Sequence, residues 1–233
     1  MRQSWGAILS AESLDREAEW RNSFSGTGPA LLKWAVVRFL GLWFRILLGL
    51  KVRGLERLPH GGPYLLCPNH LSYLDALVML ARLPYRVLQR VFFVGDSSFF
   101  ASPFMRLVAW VANVFPVDPD AHLLRAMKAG AHGLRSGRIL GIFPEGSRSF
   151  DGRLGEFKKG AAILARELNV PMVPVAIRGT YEVWPRDRLR IRLHKVTVEF
   201  GAPIYPGAEL RDDPYGADTE RLREAVSALI GHN

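Results

Sequence analysis

A histidine and an aspartate, His70 and Asp75, stand with four residues between them, after a short apolar run and before a helical pattern. An imidazole can remove a proton from a hydroxyl group, and a nearby carboxylate fixes its tautomer and stabilises its charged form. The pair therefore fits general base catalysis at the end of a strand, where α/β proteins place active sites. A structural interpretation is also open: Ser72 and Asp75 have the spacing of a helix-capping pair, which would leave His70 an ordinary loop residue.

The only cysteine, Cys67, lies in the apolar run just before this pair. A thiol activated by His70 could act as a nucleophile and form a covalent intermediate. A cysteine inside an apolar strand is more often an inert packing residue, and we expect Cys67 to be one. A single cysteine also excludes an intramolecular disulfide and is compatible with a reducing compartment.

A second polar group, Glu145-Gly146-Ser147-Arg148, follows another apolar run. Gly146 permits a tight turn and the close approach of a ligand, and Arg148 offers paired donors that suit a phosphate. Glu145 could hold a substrate hydroxyl. The alternative is an ordinary turn closed by an ion pair between Glu145 and Arg148.

Two lysines, Lys158 and Lys159, begin the next helical pattern. Positive charge at a helix start opposes the helix dipole, so an anion bound there would relieve an unfavourable arrangement. A solvated basic face is the simpler alternative.

The elements that must position these residues alternate along the chain. Apolar runs predict strands at 64–68, 91–94, 114–117, 139–143, 172–177 and 196–200. Periodic patterns predict helices at 73–81, 103–113, 121–136, 159–168 and 218–230. This alternation predicts an α/β fold with a mixed, largely parallel central sheet flanked by helices.

The N-terminal region is predicted to be a polar arm at 1–28 and a helix at 29–50, with one domain at 51–233. Such a helix is roughly 30 Å long and could span a bilayer. Arg38 and Arg45 would each cost about 2.5 to 3.5 kcal/mol near a membrane centre, which nearly cancels the gain from the apolar residues. Both arginines share one helical face, so an amphipathic membrane-associated helix lying in the interface is favoured over a spanning one. An amphipathic core helix remains the alternative.

The composition favours negatively charged partners, because the chain has 31 lysines and arginines but only 22 acidic residues, a formal charge of +9. Nucleic acid, anionic lipid and an acidic carrier all fit this field. The first twenty residues are too polar for the apolar region of a secretory signal, so no cleavable export signal is expected. Exposure to the cytosol is expected from the single cysteine.

Together, the order and spacing of three segments resemble the glycerolipid acyltransferase family, which includes lysophosphatidic acid acyltransferases. The resemblance covers about 55–204 and its signature consists of Asn69-His70 with Asp75, of Phe143-Pro144-Glu145-Gly146-Ser147-Arg148-Ser149, and of Val170-Pro171-Met172-Val173-Pro174-Val175. It implies a glycerol-3-phosphate acyltransferase-like fold and an N-terminal membrane-associated region. It also implies acyl carrier protein or coenzyme A as the carrier of the acyl donor, with no metal and no further cofactor.

The same resemblance assigns roles to the residues. It makes His70 the general base and Asp75 its orienting partner. It also makes Glu145 and Gly146 acceptor-site residues and Arg148 a phosphate ligand. Together with the neighbouring Ser147 and the two lysines at the next helix start, Lys158 and Lys159, these residues form the predicted acceptor- and phosphate-binding site.

Two positions depart from the family pattern. Pro119 follows Val117-Asp118 where the family usually has an arginine, and Val94-Gly95-Asp96 lacks a lysine that relatives often carry. A phosphate contact from position 119 is therefore missing. We expect tolerance for acceptors with a substituted phosphate, such as lysophosphatidylethanolamine, alongside lysophosphatidic acid.

The sequence thus predicts a peripheral or monotopic membrane protein on the cytoplasmic face. Its predicted activity is the transfer of a fatty acyl group from acyl-ACP or acyl-CoA to the free hydroxyl of a lysophospholipid. This reaction would serve phospholipid biosynthesis or remodelling. Its expected partners are an anionic membrane surface, the thioester donor and the lysolipid, with no nucleic acid. A basic membrane- or nucleic-acid-binding module without catalysis is one alternative, but it leaves the polar residues without a shared role. A lipid or thioester hydrolase that uses the same pair with water is another.

Overall fold

The computed structural model describes residues 5–10, 30–96, 103–117, 123–187, 190–207 and 212–231. They form a seven-stranded sheet in the order β1-β7-β6-β2-β5-β3-β4. The strands are β1 (Lys51–Arg53), β2 (Tyr64–Pro68), β3 (Val91–Asp96), β4 (Val114–Val117), β5 (Ile139–Gly141), β6 (Met172–Arg178) and β7 (Thr197–Phe200). Only the β6–β7 pair is antiparallel in this sheet. The predicted mixed, largely parallel sheet is therefore confirmed.

Helices cover both faces of the sheet. They are α1 (Trp5–Ser10), α2 (Ala30–Leu48), α3 (Asp75–Leu80), α4 (Tyr85–Leu88), α5 (Pro103–Ala112), α6 (Leu123–Arg135), α7 (Gly160–Leu168), α8 (Thr180–Val183) and α9 (Pro214–Gly231). A short 3₁₀ helix at Leu55–Arg57 follows β1.

The central strand β2 is buried along its whole length, as expected for a parallel strand covered on both sides. Its side chains alternate between the faces. Leu66 packs in one apolar layer with residues of α2, α3 and α5, while Leu65 and Cys67 pack in the other with residues of α6 and α7. The polar loops that follow the strands are thereby held on a rigid, doubly covered sheet.

All six predicted strands are present, each within two residues at either end. β5 is shorter than the predicted 139–143, because the chain leaves the sheet before Pro144, which has no backbone donor. α9 begins four residues before the predicted start, at Pro214. Asp213 caps it by accepting a hydrogen bond from the Gly216 backbone N–H at 3.0 Å.

Helix α2 agrees with the predicted helix at 29–50 and has two different sides. One side is buried on the domain through Val37, Gly41 and Leu48. A Cβ at Gly41 would lie 2.7 Å from the Ala81 carbonyl oxygen, so only glycine permits this close approach to the end of α3. The other side is exposed and apolar, and we call it the apolar face of α2: Leu31, Leu32, Trp34, Phe39, Leu42, Trp43, Ile46 and Leu47. Within the described ranges, no helix has the length and apolar character needed to cross a bilayer.

The region predicted as a polar arm includes a short helix, α1, that the sequence patterns did not predict. Leu9 is buried among residues of α6 and α7, and its carbonyl oxygen accepts a hydrogen bond from Arg135 Nη1 at 2.8 Å. The rest of the predicted arm, 1–4 and 11–28, lies outside the described residues.

Candidate active site

The loop that carries His70 is fastened to the neighbouring strand by Asn69. The Asn69 side chain donates to the Ile177 carbonyl oxygen at 2.9 Å and accepts from the Ile177 backbone N–H at 2.7 Å. In this way a side-chain amide continues the β2–β6 ladder after the backbone of β2 has left it. His70 consequently stands at the carboxyl edge of the sheet.

Asp75 is fully buried and both of its carboxylate oxygens are occupied. Oδ2 accepts from the backbone N–H groups of Leu71 at 2.6 Å and Ser72 at 2.8 Å, and it lies 2.9 Å from His70 Nδ1. Oδ1 accepts from the Thr180 hydroxyl at 2.7 Å. The carboxylate therefore folds the turn before α3 and contacts the imidazole at the same time. Asp75 thus stabilises the helix start, as the structural interpretation proposed, but Ser72 is not the N-cap and His70 is not an isolated loop residue.

The hydrogen bonds fix the tautomer of His70. Because Asp75 Oδ2 can only accept, Nδ1 must carry the proton, and the lone pair is on Nε2. The ring stacks on Phe143 with centroids 3.8 Å apart and is partly open to solvent. The Asp75 carboxylate holds the Nδ1 edge of the imidazole, and the Phe143 ring packs against its face. Nε2 has no hydrogen-bond partner among the described residues.

Glu145 lies beneath the His70 loop and is only 8% exposed. Its Oε1 accepts from the His70 backbone N–H at 2.7 Å, and its Oε2 accepts from the Gly155 backbone N–H at 3.0 Å. Burial raises the pKa of Glu145, while the two backbone donors oppose that rise. The Glu145–Arg148 ion pair considered from the sequence is not formed, because Glu145 instead joins the two active-site loops.

Gly146 and Lys158 meet at the second loop. Gly146 has a φ of 73°, and a Cβ there would lie 2.9 Å from Lys158 Nζ, so the lysine side chain runs across the glycine. The Lys158 backbone N–H donates to the Pro144 carbonyl oxygen at 2.8 Å, which holds the lysine at this turn. Lys159 is engaged elsewhere, in an ion pair with Asp213 at 2.6 Å. Ser147 is exposed beside Gly146.

Arg148 is positioned by an aromatic residue that the sequence did not single out. Its guanidinium carbon lies 3.5 Å from the centroid of the Tyr73 ring, and Tyr73 packs on Trp184 at 5.2 Å. Nη1 of Arg148 is buried and lacks a hydrogen-bond partner in the part of the chain that the structure describes. A buried donor without a partner costs about 1 to 3 kcal/mol, which an anionic ligand could recover.

Cys67 is fully buried on β2, and burial raises the pKa of its thiol far above the usual range. A thiolate is therefore strongly disfavoured at this position. Pro119, whose identity suggested a missing phosphate contact, lies outside the described residues.

The structure brings together six of the predicted residues at one edge of the sheet, on two adjoining loops and the first turn of α3: His70, Asp75, Glu145, Gly146, Arg148 and Lys158. The residues that sequence reasoning missed are Tyr73 and Thr180, and Asn69 had been quoted without a role. The contacts of Asn69 and Thr180 reach more than 100 residues along the chain, so only a resemblance to a family could have drawn attention to them.

Comparisons with known proteins relate the chain to acyltransferases. The acyltransferase family model matches residues 49–178, which is more than half of the chain and contains both loops. A chloroplastic 1-acyl-sn-glycerol-3-phosphate acyltransferase of Brassica napus is 33% identical over 161 residues, covering 66% of this chain and 44% of that protein. The human 1-acyl-sn-glycerol-3-phosphate acyltransferase alpha is 27% identical over 204 residues, covering 84% and 69%.

The fold is also found among solved structures. The crystal structure of the 1-acyl-sn-glycerophosphate acyltransferase PlsC of Thermotoga maritima superposes with a TM-score of 0.68 and 23% identity, covering 97% of this chain and 89% of that one. The chain spans less than half the length of the Brassica relative.

Proposed function

Since this chain belongs to the acyltransferase family, we propose that it transfers a fatty acyl group from a thioester donor to the free hydroxyl of a lysophospholipid, with 1-acyl-sn-glycerol-3-phosphate as the leading acceptor. The observation that carries the proposal is the buried Asp75 carboxylate at 2.9 Å from Nδ1 of His70, which leaves the lone pair of Nε2 for a substrate hydroxyl. The names of the relatives support the choice of acceptor.

In the proposed reaction, Nε2 of His70 removes the proton of the acceptor hydroxyl while the hydroxyl oxygen attacks the carbonyl carbon of the thioester. Asp75 stabilises the imidazolium that forms. Collapse of the tetrahedral intermediate breaks the carbon–sulfur bond, and the imidazolium returns the proton to the leaving thiolate. The products are a diacyl lipid and a free thiol, and His70 recovers its starting state.

The acceptor phosphate would bind Arg148 and Lys158, the two cations at the Gly146 turn that no carboxylate in the described structure engages. Glu145 would act mainly by holding the His70 loop, since both of its oxygens already accept from backbone N–H groups. Lys159 would contribute to the local field and not to a direct contact, because Asp213 neutralises it.

We propose that the protein works on the membrane surface as a peripheral or monotopic protein of the cytoplasmic face. The support is the apolar face of α2, whose exposed leucines, isoleucine and aromatic residues suit insertion among lipid chains. The donor would be acyl-ACP or acyl-CoA, and the basic charge of the chain suits both because both are acidic.

The test compares His70→Ala with the native protein on vesicles that contain lysophosphatidic acid and either donor. We expect a diacyl product with the native protein and a rate lower by roughly a hundredfold to ten-thousandfold with the variant, the usual contribution of general base catalysis. Cys67→Ala is the matched control and should keep its activity. Free fatty acid as the main product would indicate a hydrolase, and neither product would indicate a binding module.

A second experiment tests the acceptor. Rates with lysophosphatidic acid and lysophosphatidylethanolamine are compared in the native protein and in Pro119→Arg. A charged hydrogen bond is worth about 1.5 to 3 kcal/mol, so the new arginine should lower the Michaelis constant for lysophosphatidic acid by about tenfold or more relative to the ethanolamine lipid. An unchanged ratio would show that position 119 does not face the acceptor phosphate.

A further inference from the structure

An exposed segment between α8 and β7 combines basic and apolar side chains. It consists of Arg190, Ile191, Arg192, Leu193, His194 and Lys195, and we call it the 190–195 segment. Every one of its residues is exposed, with Ile191 at 58% and Leu193 at 70%. Single exposed apolar side chains are common, but two of them interleaved with cations form a candidate interaction surface.

The segment is attached to the domain at defined points. The Arg192 backbone N–H donates to the carbonyl oxygen of Val183, the last residue of α8, at 2.9 Å. Val196, which follows the segment, donates to the Leu48 carbonyl oxygen at 2.9 Å and accepts from the Lys51 backbone N–H at 3.0 Å. The segment therefore ends directly beside the C-terminal end of α2.

This attachment also places the segment at the edge of the sheet that carries His70. Thr197, the first residue of β7, pairs with Arg178, the last residue of β6. Ile177, one residue earlier on β6, is the partner of Asn69 in the His70 loop. The 190–195 segment, the C-terminal end of α2 and the His70 loop thus belong to one edge of the sheet.

We infer that the 190–195 segment is a second membrane contact, in which Ile191 and Leu193 enter the lipid and the neighbouring cations meet anionic head groups. This inference builds on the proposed membrane association of α2. A single helix contacts the interface along one line, so the domain can still tilt about that line. A second contact at the carboxyl edge of the sheet limits this tilt and turns the His70 loop toward the lipid, where the lysolipid acceptor is dissolved.

A bilayer explains this surface better than an acidic carrier protein does. An acidic carrier would be attracted mainly by the cations, whereas here basic and large apolar residues alternate at 190–193. The segment is also joined by backbone hydrogen bonds to the end of α2, whose own apolar face is exposed at Ile46 and Leu47. Basic residues that flank exposed apolar ones are typical of surfaces that bind anionic lipid.

The test uses site-specific fluorescence on the full chain. The only native cysteine, Cys67, is fully buried, so a new cysteine at the surface can be labelled selectively. Leu193→Cys carrying an environment-sensitive dye is mixed with vesicles of neutral lipid and phosphatidylglycerol. We expect a blue shift of the emission and quenching by lipids that carry a quencher on the acyl chain.

Two labelled variants serve as references. Tyr205→Cys is exposed at the opposite edge, because its neighbour Ile204 pairs with Met172, the first residue of β6. It should show no shift. Leu42→Cys on the apolar face of α2 reports the proposed primary contact. A shift at position 42 without one at position 193 would overturn the second contact while leaving the association of α2 intact.

A vesicle-binding measurement tests the contribution of the cations in the 190–195 segment. The double variant Arg190→Gln/Arg192→Gln should bind anionic vesicles about thirtyfold more weakly, which corresponds to about 2 kcal/mol. Its turnover of detergent-dispersed substrate should be unchanged, which separates this inference from the catalytic proposal. Unaltered vesicle binding, or a dye shift at position 193 that needs acyl carrier protein and not vesicles, would overturn the proposal, and the latter would identify a protein-docking surface.

Discussion

At the scale of single residues, Asp75 shows how one carboxylate can build a turn and orient a base. Two backbone donors and the imidazole share Oδ2, which leaves Oδ1 to the Thr180 hydroxyl. If Oδ1 lost its donor, the carboxylate could rotate and its contact with Nδ1 would loosen. Thr180 is therefore a positioning residue that acts through Asp75.

Thr180→Val keeps the shape of the fully buried side chain and removes only the hydroxyl. We expect kcat to fall by about tenfold with little change in the Michaelis constant, since a hydrogen bond to a charged group is worth about 1.5 to 3 kcal/mol and only part of it is expressed in the transition state. Steady-state kinetics measure both constants. Thr180→Ser, which retains the hydroxyl, should restore most of kcat. Equal rates for the valine and serine variants would remove Thr180 from the mechanism.

Tyr73 has a comparable role toward Arg148. A cation–π contact is worth about 0.5 to 2 kcal/mol, so Tyr73→Leu should raise the Michaelis constant for the lysolipid between about twofold and thirtyfold and change kcat little. Tyr73→Phe keeps the ring under the guanidinium and should behave like the native protein. A loss of the same size in both variants would mean that the phenolic hydroxyl, and not the stacking, matters.

The spacing of His70 and Asp75 was enough to predict that they meet, because five residues of chain bring them together at a helix start. The support from Asn69 and Thr180 could not be predicted in this way. Their partners are 108 and 105 residues distant, and the register between β2 and β6 decides those contacts. Local patterns carry no information about that register.

At the scale of secondary structure, the predicted elements are those with a local sequence pattern, and the missed ones depend on contacts with distant residues. Strands β2 to β7 and the helices α2, α3, α5, α6, α7 and α9 have apolar patterns of their own, and all were predicted. β1 was missed because Lys51 and Arg53 interrupt its three residues, and it exists through its pairing with β7. α4 and α8 have four residues each, too few for a periodic pattern. Tertiary contacts define these short elements.

Helix α2 contains a buried lysine that its amphipathic pattern did not reveal. Lys33 is 2% exposed, donates to the side-chain oxygen of Asn113 and lies 5.5 Å from the centroid of the Trp110 ring. Burial, and secondarily the positive charge of Arg138, lowers the pKa of Lys33 to about 8. The docking of α2 on the domain therefore opposes protonation of Lys33.

The sign of the resulting pH dependence follows from linkage. Above pH 8 the folded protein releases this proton while the unfolded chain keeps it up to its ordinary pKa of 10.5, so this group makes the fold more stable as the pH rises. The Lys33→Met variant has no titratable group at this position, so it lacks this contribution to the pH dependence of stability. Urea unfolding of both proteins should show native stability rising relative to the variant by up to about 1.4 kcal/mol per pH unit between pH 8 and 10. A difference that stays constant across this window would show that Lys33 titrates normally.

At the scale of the whole molecule, the C-terminal end of α2 and the 190–195 segment lie at the same edge of the sheet as the His70 loop. This arrangement would let a surface-bound protein take a lysolipid directly from the bilayer. Removing residues 1–50 is a poor test of the idea, because Val37, Leu48 and Leu50 are buried and their loss would uncover the core. Substitutions limited to exposed side chains avoid that effect.

Phe39→Ser/Leu42→Ser/Ile46→Ser changes only residues that are 54% to 64% exposed, so the free energy of unfolding should change little. Transfer of such side chains from water into lipid is favourable by about 1.5 to 3 kcal/mol each when burial is complete. Even partial insertion then predicts vesicle binding at least tenfold weaker in a sedimentation assay.

The matched control is Leu124→Ser/Tyr205→Ser, which removes exposed apolar side chains from α6 on the opposite face and from the opposite edge. It should bind vesicles like the native protein. Equal binding by both variants and the native protein would mean that the apolar face of α2 is not the membrane-binding surface, and the basic surface of the domain would have to account for association with lipid.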